Sequence, residues 1–203
     1  FFKQKTAYEI SRSDWSSDVC SSDLHRYDPN TPLEETLQAM VDIVKQGKAL
    51  YLGISRWPLE ALKFADQYLK ERDCPLLIFQ DKLNMLNKEP QENGTLDYCH
   101  ENGIGFISFS PLAQGLLTDR YLNGIPSDSR MAKEHFLKHS ALTPKLLEQL
   151  KQWNQEAGER GETLAEMALA WILHQKGVTS VLVGASSTAQ LEKNMKCVHA
   201  KAF

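Results

Sequence analysis

Four polar groups of the chain stand where an apolar run gives way to a loop. Ser55-Arg56 follow Leu52-Gly53-Ile54, and Gln80 follows Leu76–Phe79. Phe109-Ser110-Pro111-Leu112 close the run that starts at Ile104, and Gly184-Ala185-Ser186-Ser187 follow Val178–Val183. A further Asn, Asn84, comes shortly after Gln80. Hydroxyls, amides and a guanidinium at strand ends suit hydrogen bonding to a polar ligand, because functional groups of βα folds gather where strands meet loops. The last group runs directly into a helix, whose free N–H groups and dipole favour an anion. Taken singly, each has a plainer reading: Ser187 as a helix cap, Phe109 as a core aromatic, Arg56 and Arg130 as solvated loop charges, His25 as a surface histidine. Taken together, they point to a phosphate-bearing ligand lying across several strand ends.

The elements that would position these groups read clearly from residue 31 onward. Thr31-Pro32-Leu33-Glu34 predicts a helix start with Thr31 as cap, Pro32 at the first helical position and Glu34 closing a capping box. Leu33, Leu37, Met40, Val41 and Val44 fall on one face. Gly47 ends that helix, and Ala49–Ile54 reads as a strand covered on both sides. The pattern recurs: a helix over Pro58–Lys70, a strand over Leu76–Phe79, a short helix over Thr95–His100 and a strand over Ile104–Phe109. Beyond a long loop, Thr143-Pro144 opens a helix, Thr163 with Glu166 caps another, Val178–Val183 forms a last strand, and Ser187 with Gln190 caps the closing helix. Strands about 25 to 30 residues apart, each followed by an amphipathic helix, imply βαβ units and a parallel sheet. Four strands make this an α/β chain with about four βα units, roughly the C-terminal half of a (β/α)8 TIM barrel, which usually takes about 250 residues.

The totals agree with one folded domain. The chain has 203 residues, 42% hydrophobic and 24% charged, with a net charge of -3. That charge opposes a nucleic-acid or anionic-membrane partner, and no apolar run approaches the roughly 18 residues of a membrane span. Cys20, Cys74, Cys99 and Cys197 form no CxxC pair, and the histidines show no metal-binding spacing, so no metal is expected. Scattered cysteines fit a reducing, cytoplasmic setting and small core positions. Residues 1–24 show no sustained period, and Ser-Ser-Asp-Val is followed by Ser-Ser-Asp-Leu five residues on.

Three stretches carry a resemblance: "HRYDPNTPLEETLQAMVDIVKQGKALYLGISRW", "SFSPLAQGLLTDRYLNGIPSDSR" and "VLVGASSTAQLEKN". In this order they resemble the aldo-keto reductases, in the branch that holds bacterial L-glyceraldehyde 3-phosphate reductases and potassium-channel beta subunits. The resemblance implies NADPH extended across a barrel mouth. It places Ser55, with Arg56 beside it, and Gln80 at the nicotinamide amide, and Phe109 under the nicotinamide ring. Ser110, Pro111, Leu112, Ala113 and Gln114 would line the pyrophosphate path, with Arg120 at a phosphate position where relatives often carry Lys. Arg130, Ser186 and Gln190 would grip the adenosine 2'-phosphate, Asn194 would contact the adenine, and Gly184 at the strand end is a further cofactor-binding residue. Lys193 stands where relatives often have Glu, and Leu83 where they often have Tyr. His25 matches the His of a catalytic Asp-Tyr-Lys-His set, in which Tyr is the proton donor to the carbonyl oxygen. The other three have no match in this chain.

The resemblance therefore implies a cytoplasmic NADPH-dependent reductase of small aldehydes such as L-glyceraldehyde 3-phosphate or methylglyoxal, with a homo-oligomer as one form of assembly. Residues 25–203 would be its C-terminal half, inactive alone and poorly folding, and "CVHAKAF" would stop short of the relatives' C-terminus. Residues 1–24 resemble a translated sequencing adapter and are expected to be a leader outside any fold. A second reading is a non-catalytic NADPH-binding regulatory subunit, like the channel beta subunits. A third is a half-barrel that assembles with a copy of itself.

Overall fold

The computed structural model describes residues 21–127, 129, 131–132, 137–201 and 203. Five strands, β1 (Ser21–His25), β2 (Tyr51–Ser55), β3 (Leu76–Lys82), β4 (Gly105–Phe109) and β5 (Val178–Val181), follow one another in that order in one sheet. Helices stand between them: α1 (Leu33–Lys45), α2 (Leu59–Lys70), the short α3 (Glu89–Glu92) and α4 (Thr95–Glu101), then α5 (Pro144–Arg160) and α6 (Leu164–Leu173), with α7 (Thr188–Met195) after β5. The α/β class is as the sequence predicts. The strand count is five and not four. The added strand, β1, takes up Ser21–Leu24, the end of the segment expected to be a leader. It pairs in parallel with β2 from Ser21↔Tyr51 to His25↔Ser55. Backbone pairing does not depend on the side chains that periodicity reads, which is why a polar Ser-Ser-Asp stretch can enter a ladder.

The chain divides into two compact units. The first holds the residues up to Asp81 together with Asn93–Phe106. In it β1, β2 and β3 pair in parallel, with a register shift between Leu52 and Gly53. Leu37, Val41, Leu62, Ala65 and Leu69 are fully buried on the inner faces of α1 and α2, and each large one contributes roughly 1.5–3 kcal/mol by leaving water. Phe79 and Phe106 pack with ring centroids 6.2 Å apart. Asp66, 2% exposed, ties α2 to α4 by accepting from the Tyr98 hydroxyl at 2.8 Å, and pairs with Lys70 at 2.8 Å.

Two expectations for this unit fail. Pro32, not Thr31, is the cap of α1, and no side chain caps it. Thr31 donates its hydroxyl to Asp28 at 2.8 Å, and Asp28 also accepts from the Asn30 N–H at 3.0 Å. Those bonds, the Asn30 N–H first, hold the Asp28 carboxyl below its ordinary range. The Asp-Pro-Asn turn thus captures the hydroxyl that the cap needs. The run Ala49–Ile54 is not covered throughout: Leu50 and Tyr51 are 65% and 50% exposed, and burial is continuous only over Leu52–Ser55.

The second unit holds Lys82–Glu92 and Ile107–Phe203. Its core packs α5 and α6 against the segment after β4, through Leu116, Leu117, Tyr121, Met131, Leu150, Ala157, Met167 and Ala168. Thr143 caps α5, accepting from the Leu146 N–H at 3.2 Å, and Gly161 at φ 78 ends it in the left-handed conformation that glycine adopts freely. The predicted capping box at Thr163 and Glu166 forms in full. Cys74, Cys99 and Cys197 are buried free thiols, as small core residues would be, and Cys20 lies outside the described residues.

Candidate functional site

The strand ends of the first unit bring three of the expected residues into one row. His25 is in register with Ser55, and Ser55 with Gln80. In-register neighbours of a parallel ladder direct their side chains to the same face. The ladder continues one step further: the Arg26 N–H donates to the Ser55 carbonyl, and the Arg56 N–H to the Gln80 carbonyl, each at 3.0 Å. Both arginines then leave the sheet with positive φ, 64° and 57°. Non-glycine residues held there cost of order 1–3 kcal/mol and gather at functional sites. Ser55 is 6% exposed and its hydroxyl has no hydrogen-bond partner, while His25 is exposed. The Arg56 Nε lies 3.9 Å from Asp81.

In the second unit a cleft of about 670 Å3 opens beside the ends of β4 and β5. Ser110, Pro111, Leu112, Gln114, Arg120, Gly184, Ser186 and Gln190, all expected from the sequence, line it. One wall is the segment after β4, whose course is set by three left-handed non-glycine residues: Ser110 (φ 52°), Ala113 (φ 46°) and Gln114 (φ 60°). Asn84, fully buried, holds that wall. Its Nδ2 donates to the Ser110 carbonyl at 2.9 Å and its Oδ1 accepts from the Leu86 N–H at 3.0 Å. Ser108, also fully buried, donates to the Leu83 carbonyl at 2.7 Å. Leu116, Leu117 and Tyr121 anchor the same wall in the core.

The opposite wall is the entry to α7. Ser187 is its cap and accepts from the Gln190 N–H at 3.2 Å. Gln190 reaches back, its Oε1 accepting from the Ser186 N–H at 2.7 Å and the Ser186 hydroxyl at 3.0 Å. Ser187 is therefore a cap, and Ser186 with Gln190 presents a hydrogen-bonded pair to the cleft. Asn194 is 5% exposed in an otherwise exposed helix, and its Nδ2 has no partner. The exposed Arg120 guanidinium and Gln190 of the first turn of α7 line one concavity, a combination that suits phosphate oxygens.

Ala113 and Asn194 are buried and do not line the cleft, Phe109 is the half-buried last residue of β4, and Arg130 lies outside the described residues. The sequence reading missed Thr118, which lines the cleft and caps the turn that carries Arg120, accepting from the Arg120 N–H at 3.2 Å. The signal was present as Thr-Asp-Arg, a capping residue before an acidic first turn. Among the described residues no group of three or more His, Cys, Asp or Glu side chains is placed to hold a metal, and no helix is long and apolar enough to cross a membrane.

Known proteins match this arrangement along most of the chain. L-glyceraldehyde 3-phosphate reductase of Escherichia coli K12 is 47% identical over 184 residues, which cover 88% of this chain and 53% of that protein. A probable voltage-gated potassium channel subunit beta of Arabidopsis thaliana is 36% identical over 178 residues, covering 86% of this chain and 54% of the other. Among solved structures, a thermostable aldo-keto reductase in complex with the inhibitor epalrestat superposes with a TM-score of 0.69 at 26% identity, over 91% of this chain and 56% of that one. The chain thus spans about half the length of the curated relatives it matches. The model of the aldo/keto reductase family matches residues 22–202, and the chain belongs to that family.

Proposed function

We propose that this chain is the cofactor-holding, C-terminal half of an NADPH-dependent reductase of small aldehydes. The observation that carries the reading is the cleft of the second unit, which Arg120, Ser186 and Gln190 line together. The donor set fits the phosphates of a dinucleotide: cation, hydroxyl and amide for phosphate oxygens. Ser110, Gln114, Arg120, Ser186 and Gln190 would hold the phosphates, and Ser55 and Gln80 are the residues suited to the nicotinamide amide. When bound, the cofactor supplies the hydride. His25 would orient the carbonyl of the substrate. The 47% identity to an L-glyceraldehyde 3-phosphate reductase favours a phosphorylated triose or a similar small aldehyde as substrate, and an enzyme over a channel subunit as parent. With no match for the Asp, Tyr and Lys of the family's catalytic set, the chain alone lacks a proton donor, a group typically contributing ~10²–10⁴-fold.

The test is a fluorescence titration of the chain with NADPH and NADH, beside an aldehyde turnover assay. Saturable NADPH binding without turnover is expected, weakened about tenfold when Arg120→Ala and Gln190→Ala are combined. Absence of binding by a folded chain, or binding indifferent to that double substitution, refutes the cofactor assignment. Turnover by the chain alone refutes its inactivity.

A further inference from the structure

We infer that the second unit carries another anion site, on the far part of α7, which takes a compact oligophosphate. A cavity of about 470 Å3 lies among the end of α5, the start of α6 and the turn that follows α7. Arg160, Lys193, Lys196, His199 and Lys201 line it, with Glu162 and Glu166 as the acidic side chains. No residue lines both this cavity and the cleft described above.

The two carboxylates are already engaged. Glu162 pairs with Arg160 at 3.1 Å and also accepts from the Lys201 N–H at 3.2 Å. Glu166 closes the capping box, accepting from the Thr163 N–H at 2.6 Å and the Thr163 hydroxyl at 2.9 Å. Arg160 is held by Glu162, by the Lys201 carbonyl and by the Phe203 ring, over which its guanidinium lies at 4.3 Å. The ammonium groups of Lys193, Lys196 and Lys201 therefore face the cavity with no carboxylate partner among the described residues. His199 adds a ring nitrogen to the lining. A chain of net charge -3 thus gathers three uncompensated cations around one concavity.

Lysines spread on a convex helix are simply solvated. Around a concavity their fields add on the same small volume, and one ligand with several negative oxygens can reach all of them. Lys acts on phosphate as a point charge without directional demands, so the site selects for charge density over shape. Pyrophosphate and tripolyphosphate meet that demand, whereas a monovalent anion does not.

The probe is inorganic pyrophosphate, titrated into the chain by calorimetry at low salt and again at matched ionic strength with sodium chloride alone. Saturable binding is expected that weakens as salt rises. Lys196→Gln and Lys201→Gln should each weaken it about three- to five-fold and together about tenfold or more, with unchanged circular dichroism. Arg120→Ala, in the cofactor cleft, should leave it intact. Heat that follows ionic strength alone overturns the proposal, as does full binding by the folded double variant. Binding lost in Arg120→Ala and kept in the lysine variants would place the anion in the cleft and overturn it equally. This outcome is separable from the cofactor reading, which is scored by NADPH fluorescence.

Discussion

Asn84 offers the sharpest test of how the cleft is held open. Replacing it with Asp preserves size and leaves an oxygen to accept from the Leu86 N–H, but turns the donor facing the Ser110 carbonyl into an acceptor. That carbonyl, now 2.9 Å from Nδ2, would keep only its bond from the Ala113 N–H at 3.0 Å and face a charge at a fully buried position. Losing one buried hydrogen bond costs about 0.5–1.5 kcal/mol, and more beside a buried charge, so the loss should be roughly 1–3 kcal/mol. Urea unfolding followed by circular dichroism measures it.

The consequence for function is calculable from the same contact. Ser110 holds φ at 52° without being glycine. Released from Asn84, it would relax, and re-adopting the left-handed conformation on binding would cost roughly 1–3 kcal/mol, or about 5- to 150-fold in the NADPH Kd. Ser110→Gly added to Asn84→Asp should recover much of that affinity, because glycine adopts this φ without strain. An Asn84→Asp chain within about 0.5 kcal/mol of the parent and with unchanged Kd would refute the reasoning.

Two further outcomes follow from the structure. Thr163→Ala removes one half of the capping box of α6 and should cost about 1 kcal/mol in urea unfolding, whereas Thr163→Ser should cost little. The Cys99 thiol is fully buried, and burial, reinforced by Asp66 and Asp81, pushes it up from 9.0 to about 12. The folded state therefore keeps a proton that the unfolded state loses, so this stabilisation is complete below pH 9 and declines as pH rises toward 12. Above pH 9 the parent should lose about 1.4 kcal/mol per pH unit more than Cys99→Ala, and parallel unfolding curves of the two would contradict it.

Capping chemistry was the most legible part of the sequence. Thr163 with Glu166, Ser187 with Gln190, and Thr143 before Pro144 all form as their spacing predicts, because their partners lie within one turn. Thr31 has the same spacing and fails, because Asp28, three residues upstream, competes for its hydroxyl. Ser186 could be placed by its position after the last strand and Gln190 by its cap spacing, whereas Arg120 was reached only through the family resemblance. Asn84 could be seen as a polar residue after β3, but not as the support of Ser110, twenty-six residues away. Contacts of that range leave no trace in local spacing.

Least legible was the backbone device that recurs at three strand ends. Arg26, Arg56 and Ser110 each stand directly after the last residue of a strand, and each has positive φ. Their side chains carry no turn signal, since glycine, asparagine and aspartate are the usual occupants. At β1 and β2 the N–H of the left-handed residue still completes the ladder, to Ser55 and Gln80. The residue before it is thereby fixed by the sheet, and the one after is turned away. That combination holds His25 and Ser55 on rigid strand ends while giving their loops separate courses, the arrangement a site needs when precision and variable substrate loops must coexist. At β4 the same conformation is secured by a side chain, Asn84, in place of a neighbouring strand. The Ser110 carbonyl accepts from the Asn84 amide at 2.9 Å and from the Ala113 N–H at 3.0 Å, so loss of the amide leaves one short-range bond and should loosen this wall of the cleft.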